Sequence, residues 1–251
     1  YGEGYTPEIP NHMPDAVESF IKATGGVITQ TAALSLIRKL IPADAVAVGA
    51  AGSLPGCMQR MWTTDKLYSY NMEYGASCMG YEIAGAFGAK LAEPDKEVYA
   101  LVGDGSFMML NSEIPTAMQE NAKITVVVFD NCAFGCINNL QMGNGVGSLA
   151  TEMRHRNEQT GKLDGDYCCT DFGKIGEGFG MKAFYAKTPD EFRKAVQDAK
   201  MESVSCIIDA KVLPKTMAEG YESWWHIGVA STSKSDKVKA ARKRIDDHLA
   251  E

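Results

Sequence analysis

The stretch that decides the fold runs from Val98 to Asn131, VYALVGDGSFMMLNSEIPTAMQENAKITVVVFDN. An apolar run, residues 98–102, ends in Gly103-Asp104-Gly105. A helical stretch follows, with Asn111 as the expected N-cap ahead of Ile114, Ala117 and Met118. A second run, residues 124–129, is rich in β-branched residues and ends in Asp130-Asn131. Strand, turn, helix and strand make a βαβ unit, which sets the carboxyl ends of two parallel strands side by side. Asp104 and Asn131 then stand at neighbouring strand ends, 131 − 104 = 27 residues apart. Open α/β sheets bind ligands outside those ends. One carboxylate and one amide oxygen there suit a hard cation such as Mg²⁺, which takes oxygen ligands and keeps water or phosphate oxygens as the others. Gly103 and Gly105 permit a tight turn and close approach of backbone to a phosphate.

Working outward, the elements keep alternating. Residues 29–41 read as a helix with Leu34, Ile37, Leu40 and Ile41 on one face. Residues 45–48 read as a buried strand running into a Gly-rich turn, GAAGSLPG, whose amides between Gly49 and Ser53 offer an anion nest that includes Gly52. Residues 79–91 form a small-residue helix, stopped by Pro94. Residues 143–165 are Gly-rich, polar and mixed in charge, the composition of a lid or substrate loop. Beyond it come a short helix from Thr170, a strand over 182–186, and a helix opening with Thr188-Pro189-Asp190-Glu191. That opening has an N-cap, a first-turn Pro and acids at the positive end of the dipole. Residues 204–212 make the last strand. The expectation is a doubly wound α/β fold, a mostly parallel sheet with helices on both faces. We divide it into a linker over 1–22, a cofactor domain over 23–215 and a tail with a helix over 216–251. Tyr1 is not a Met and the Gly/Pro-rich opening lacks periodicity, so we read the chain as the carboxyl-terminal part of a longer polypeptide.

Composition narrows the function. With 251 residues, 45% hydrophobic and 23% charged, the chain is large enough for a well-buried α/β core. A formal net charge of −7 argues against nucleic acid as a partner, which calls for clustered Lys and Arg. The basic run near the end interleaves with acids and reads as a solvated helix face. No apolar run reaches the roughly 18 residues of a bilayer span, so no membrane partner is expected and the compartment reads as cytoplasmic. The 7 Cys lack paired zinc spacings and most read as small buried hydrophobes. Cys132 and Cys136 flank the metal edge, but Mg²⁺ does not favour thiolates.

The GDG turn, followed after 27 residues by an Asn-bearing strand end, resembles the thiamine diphosphate motif. The resemblance implies that Asp104, the Asn131 side chain and the Ala133 carbonyl hold Mg²⁺, and that the ion bridges to the cofactor's diphosphate. Many members of that superfamily have Asn where this chain has Asp130. The resemblance further implies cofactor contacts from Gly52, Ser53, Gly103, Gly105, Ser106 and Phe134. Met79 lies 104 − 79 = 25 residues before the metal Asp; there a large apolar residue props the cofactor in its bent form. Ser77 would offer its backbone oxygen to the aminopyrimidine.

Three blocks, YGASCMGYEIAGAFGA, TGKLDGDYCCTDFGKIGEGFG and YESWWHIGVA, are similar to the trihydroxycyclohexane-1,2-dione hydrolases of myo-inositol breakdown. That resemblance implies ring opening of a small cyclic polyhydroxy dione to 5-deoxyglucuronate, by covalent cofactor catalysis. It implies two partners: an N-terminal pyrimidine-binding domain carrying the activating Glu, which this chain lacks, and further copies in a homo-oligomer, dimer or tetramer. Isolated, the chain is then expected to be inactive, and turnover by it alone would direct attention to Glu73, Glu82 and Glu113. The segment CAFGCINNLQMGNGVGSLATEMRHR fits the resemblance less closely, leaving the substrate and the roles of Arg154, His155 and Arg156 open. Acetolactate-synthase-like chemistry, or a non-catalytic cofactor-binding or assembly domain, are the alternatives.

Overall fold

The computed structural model describes residues 25–64, 66–73, 75–216 and 227–250; the expected linker and residues 221–226 of the YESWWHIGVA block lie outside them. The chain divides into two compact units, Tyr1–Asn131 with Thr170–Ala218, and Cys132–Cys169 with Glu219–Glu251.

The first unit carries α1 (Gln30–Leu40), β1 (Val46–Gly49), α2 (Ser53–Met61), β2 (Tyr70–Met72), α3 (Tyr81–Ala92), β3 (Val98–Gly103), α4 (Asp104–Met109), α5 (Glu113–Gln119) and β4 (Thr125–Asp130). The second unit intervenes with α6 (Gly135–Gly143), and the first resumes with α7 (Phe172–Gly178), β5 (Lys182–Ala186), α8 (Pro189–Met201) and β6 (Cys206–Lys211). The strands form one sheet in the order β2-β1-β3-β4-β6-β5, and every pairing is parallel.

Side chains alternate across a strand, so each strand feeds two cores. Ala47, Tyr99, Leu101, Val127, Phe129, Cys206 and Ile208 pack with α1, α2 and α8. Val46, Val48, Ala100, Val102, Val126, Val128 and Ile207 pack with α3, α4, α5 and α7 on the other face. The expected doubly wound fold is therefore the observed one, with a wholly parallel sheet. Because both faces are covered, the strands read as continuous apolar runs instead of alternating ones.

Caps explain several boundaries. Thr29 accepts from the Ala32 N–H at the start of α1. Thr188 and Glu191 form the reciprocal capping box of α8, as its sequence predicts. Asn111 does not cap. The helical stretch is broken into α4 and α5, the residue before α5 is Ser112, and the Asn111 amide instead donates to the Phe107 carbonyl at 3.1 Å. The Gly-rich turn after β1 is also shorter than expected, because Ser53 already opens α2. Strand β2 was not anticipated: three half-buried residues, Tyr-Asn-Met, give no period.

The second unit contains α6 and α9 (Asp236–Ala250). Val229, Val238, Ala241 and Ile245 form its apolar cluster. The polar face of α9 carries the pairs Arg242–Asp246 and Lys243–Asp247, which accounts for the interleaved charges. Antiparallel bridges Ala133–Glu152 and Arg154–Tyr167 order the 143–165 excursion.

Candidate functional site

The sheet order 2-1-3-4-6-5 reverses direction at β1, and the crevice at the carboxyl ends of β1, β3 and β4 is where such sheets bind ligands. Gly103 pairs in register with Phe129, so Asp104, the first residue past β3, lies level with Asp130, the last residue of β4. Asp104 is 2% exposed. One carboxylate oxygen accepts from the Gly105 N–H at 2.6 Å, and the other accepts from the Asn131 N–H at 3.1 Å. The two strand ends are thereby bonded through the carboxylate that the GDG motif singles out.

Ser106 links this turn to the Met79 loop. The Gly80 N–H donates to Ser106 Oγ at 2.7 Å, and the Ser106 hydroxyl donates to both carboxyl oxygens of Glu82 at 2.9 Å. The Gly80 N–H also reaches Glu82 Oε2 at 2.9 Å, and the Ala51 N–H is a further donor to the same carboxyl. Glu82, completely buried, thus ties together the turn after β1, the start of α3 and the GDG turn. Burial pushes its carboxyl above the ordinary range, against the bonds from Ser106, Gly80 and Ala51. Gly80 has φ +96° and a side chain there would meet Leu110 Cβ at 2.5 Å, so both conformation and space demand glycine. Gly52, at φ +84° ahead of α2, is required by conformation alone.

Met79 is half-buried and Ser77 exposed, in a loop held by Glu73, whose carboxylate accepts from the Ala76 and Cys78 N–H groups at 3.0 and 2.6 Å. These donors hold the Glu73 carboxyl below its ordinary value. Ser53 exchanges hydrogen bonds with Gln30 at 3.2 and 3.3 Å. Of the residues picked from sequence, then, Ser106 is bonded to Gly80, the residue after Met79, and Asp104 to the Asn131 N–H.

Ala133 and Phe134 belong to the second unit, where Ala133 bridges to Glu152 and the Phe134 N–H donates to the Thr151 carbonyl at 2.9 Å. Arg154 is held within that unit: it pairs with Glu152, donates to the Gly165 carbonyl at 2.9 Å and lies 3.9 Å over the Tyr167 ring. Arg156 donates to the Gly161 carbonyl at 2.6 Å.

Asp130 has a partner that the sequence did not reveal. Lys211 Nζ lies 2.5 Å from Asp130, 3.0 Å from Asp209 and 2.6 Å from the Thr170 carbonyl. Burial lowers the Lys211 ammonium, but its bonds to Asp130 and Asp209 outweigh that and leave it above the usual lysine value. Burial raises the Asp209 carboxyl, with Lys211 opposing. The signal lay in CIIDAK, where two charges interrupt a strand buried on both faces.

The donor set fits an oxygen-seeking cation. Among the described residues no three His, Cys, Asp or Glu side chains gather as a metal site. An ion beside Asp104 would thus draw its other ligands from amide, peptide, phosphate or water oxygens, as Mg²⁺ does.

The family described as thiamine pyrophosphate enzyme, C-terminal TPP binding domain, matches residues 50–210, and the chain belongs to it. The chain is 54% identical over 249 residues to the 3D-(3,5/4)-trihydroxycyclohexane-1,2-dione hydrolase of Geobacillus thermodenitrificans (strain NG80-2), covering 99% of this chain and 39% of that protein. It is 57% identical over 241 residues to the hydrolase of the same name from Clostridium botulinum (strain Eklund 17B / Type B), covering 96% and 38%. The chain therefore spans about two-fifths of the length of these curated relatives. Its fold is similar to that of the Rhodococcus jostii RHA1 thiamine diphosphate-dependent 4-hydroxybenzoylformate decarboxylase, with TM-score 0.64, 20% identity and coverage of 76% of this chain and 34% of that one.

Proposed function

We propose that this chain is the diphosphate-binding half of an enzyme that opens the ring of a trihydroxycyclohexane-1,2-dione with water. The observation that carries the reading is the Asp104 carboxylate bonded to the Asn131 N–H across two strand ends, in a chain more than half identical to hydrolases of that name. Asp104 and the Asn131 amide supply Mg²⁺ ligands, and by the family pattern the Ala133 carbonyl, two residues along the chain, is the third. Gly52, Ser53, Gly103, Gly105, Ser106 and Phe134 line the cofactor. Thiamine diphosphate supplies, when bound, a carbon nucleophile and an electron sink for carbon–carbon cleavage. The chain's own residues would hold the diphosphate end at the turn amides beside Asp104, Met79 would prop the cofactor in its bent form, and the Ser77 carbonyl would accept from the aminopyrimidine. The activating Glu comes from a pyrimidine-binding domain elsewhere, in a cytoplasmic homo-oligomer.

The binding test is thermal denaturation with Mg²⁺ and thiamine diphosphate. A ligand at a hundred times its Kd stabilises the native state by about 2.7 kcal/mol. Asp104→Ala is expected to remove the Mg²⁺-dependent part of the rise; an undiminished rise eliminates Asp104 as ligand. The activity test supplies a full-length polypeptide, carrying the pyrimidine-binding domain, with the cyclic dione or with pyruvate. A linear acid from the dione supports the reading, and acetolactate from pyruvate overturns it. The 251-residue chain alone is expected to be slower by at least the roughly 10²–10⁴-fold that a positioned acid–base group contributes.

A further inference from the structure

The excursion that leaves the first unit after Asn131 returns to it at Thr170, and its first and last residues are both cysteines, Cys132 and Cys169. Their sulfurs are 3.6 Å apart. Nothing in the cofactor reading uses this contact.

The contact is built by the backbone of the second unit. Met153 receives both ends of the excursion: its N–H donates to the Cys132 carbonyl at 2.7 Å, and its carbonyl accepts from the Cys168 N–H at 2.8 Å. The bridges Ala133–Glu152 and Arg154–Tyr167 flank Met153 on either side. One extended segment, 152–154, therefore pairs first with the outgoing chain and then with the returning chain, so the two ends abut. Cys132 takes the left-handed backbone form, φ +52°, where it turns into this pairing. A disulfide bond is about 2.05 Å long, so the sulfurs need to close by only about 1.5 Å, a distance on the scale of modest side-chain rotation.

Exposure assigns the order of events. Cys169 is exposed, whereas Cys132 is 8% exposed. Thiol–disulfide exchange begins at the thiol an oxidant can reach.

We propose that Cys132 and Cys169 form an oxidisable dithiol, converted by a low-molecular-weight disulfide of the glutathione class into an intrachain disulfide that closes residues 132–169 into a covalent loop. The Cys169 thiolate attacks one sulfur of the small disulfide, forming a mixed disulfide and releasing one thiol. The Cys132 sulfur then attacks Cys169 Sγ, forming the intrachain bond and expelling the second thiol. Two electrons pass from the cysteine pair to the small disulfide, and the two protons end on the released thiols.

The test treats the 251-residue chain with oxidised glutathione under native conditions, alkylates the remaining thiols, and maps the peptides by mass spectrometry without reduction. The expected product joins the Cys132 and Cys169 peptides, lighter by two hydrogens than the reduced pair and separated by dithiothreitol. Cleavage by trypsin within the excursion, which offers Arg154, Arg156 and Lys162, should leave a nicked chain that stays one species until reduced. Cys132→Ser should stop the sequence at glutathionylated Cys169. Cys132 and Cys169 both alkylated after full equilibration, or a bridge that engages Cys168 or Cys136 in their place, overturns the proposal.

Discussion

The carboxyl edge of the sheet and the 132–169 excursion face the same problem, the pairing of backbone donors outside regular structure, and solve it differently. At the edge, side chains take the donors: Asp104 receives two N–H groups, and Glu82 and Ser106 together receive the Gly80 N–H. In the excursion the backbone pairs mainly with itself, around Met153 and through Asn157, whose N–H and carbonyl meet Lys162 and Gly161 at 2.8 Å. The first solution concentrates buried carboxyls where a cation and a diphosphate are expected; the second adds mostly exposed side-chain bonds, such as those from the Leu149 and Gln159 N–H groups to Gln141 and Asn157, to backbone pairing. A buried network of the first kind is costly to leave partly unpaired.

Four substitutions sharpen that contrast. The largest effect is expected from Lys211→Met, which leaves Asp130 and Asp209 facing each other in the interior. Breaking a buried pair typically costs about 3–5 kcal/mol; Lys211 is 27% exposed, so about 3 kcal/mol is expected in denaturant unfolding. Gly80→Ala comes next. Positive φ and the Leu110 contact together should cost about 2 kcal/mol, read the same way, and weaken thiamine diphosphate binding with it.

Glu82→Gln is smaller and shows itself in pH dependence. The folded carboxyl is raised above its unfolded value, so its favourable contribution is complete below the unfolded pKa of about 4.3 and is lost as pH rises through the higher folded value. The Gln variant should lack that decline; parallel stability curves for variant and parent across this window would remove Glu82 as its source. The smallest effect belongs to the excursion. Arg154→Ala loses the Glu152 pair and the Tyr167 ring contact, and about 1 kcal/mol is expected, with the Mg²⁺-dependent thermal shift intact.

The same contrast explains what could be read from the chain. The βαβ unit, its Asp104 and Asn131, and the Thr188 capping box are local: every residue that defines them lies within one strand–helix–strand repeat or one helical turn. Apolar runs in β3 and β4 announce strands buried on both faces. What escaped depends on partners distant in sequence. Glu82 meets Ser106 over 24 residues and Asp130 meets Lys211 over 81, and no period encodes either. Asn111 misled because its side chain could cap one helix or close another, and the carbonyl of Phe107, one turn back, took it. Strand β2 escaped because an edge strand of three half-buried residues carries no pattern of its own.

Lys211 has one more consequence, and it concerns cohesion. Its ammonium is bonded both to Asp130, the last residue of β4, and to the carbonyl of Thr170, where the chain re-enters the first unit ahead of α7. Departure and return points are thus stapled to a single cation that belongs to neither. Between them run α6 and the bridged segment around Met153, so the ends of a whole packed unit are fixed at one point of the first unit. Lys211 thus makes the cohesion of the first unit depend on a cation that reaches the last residue of β4 and the first residue after the excursion at once.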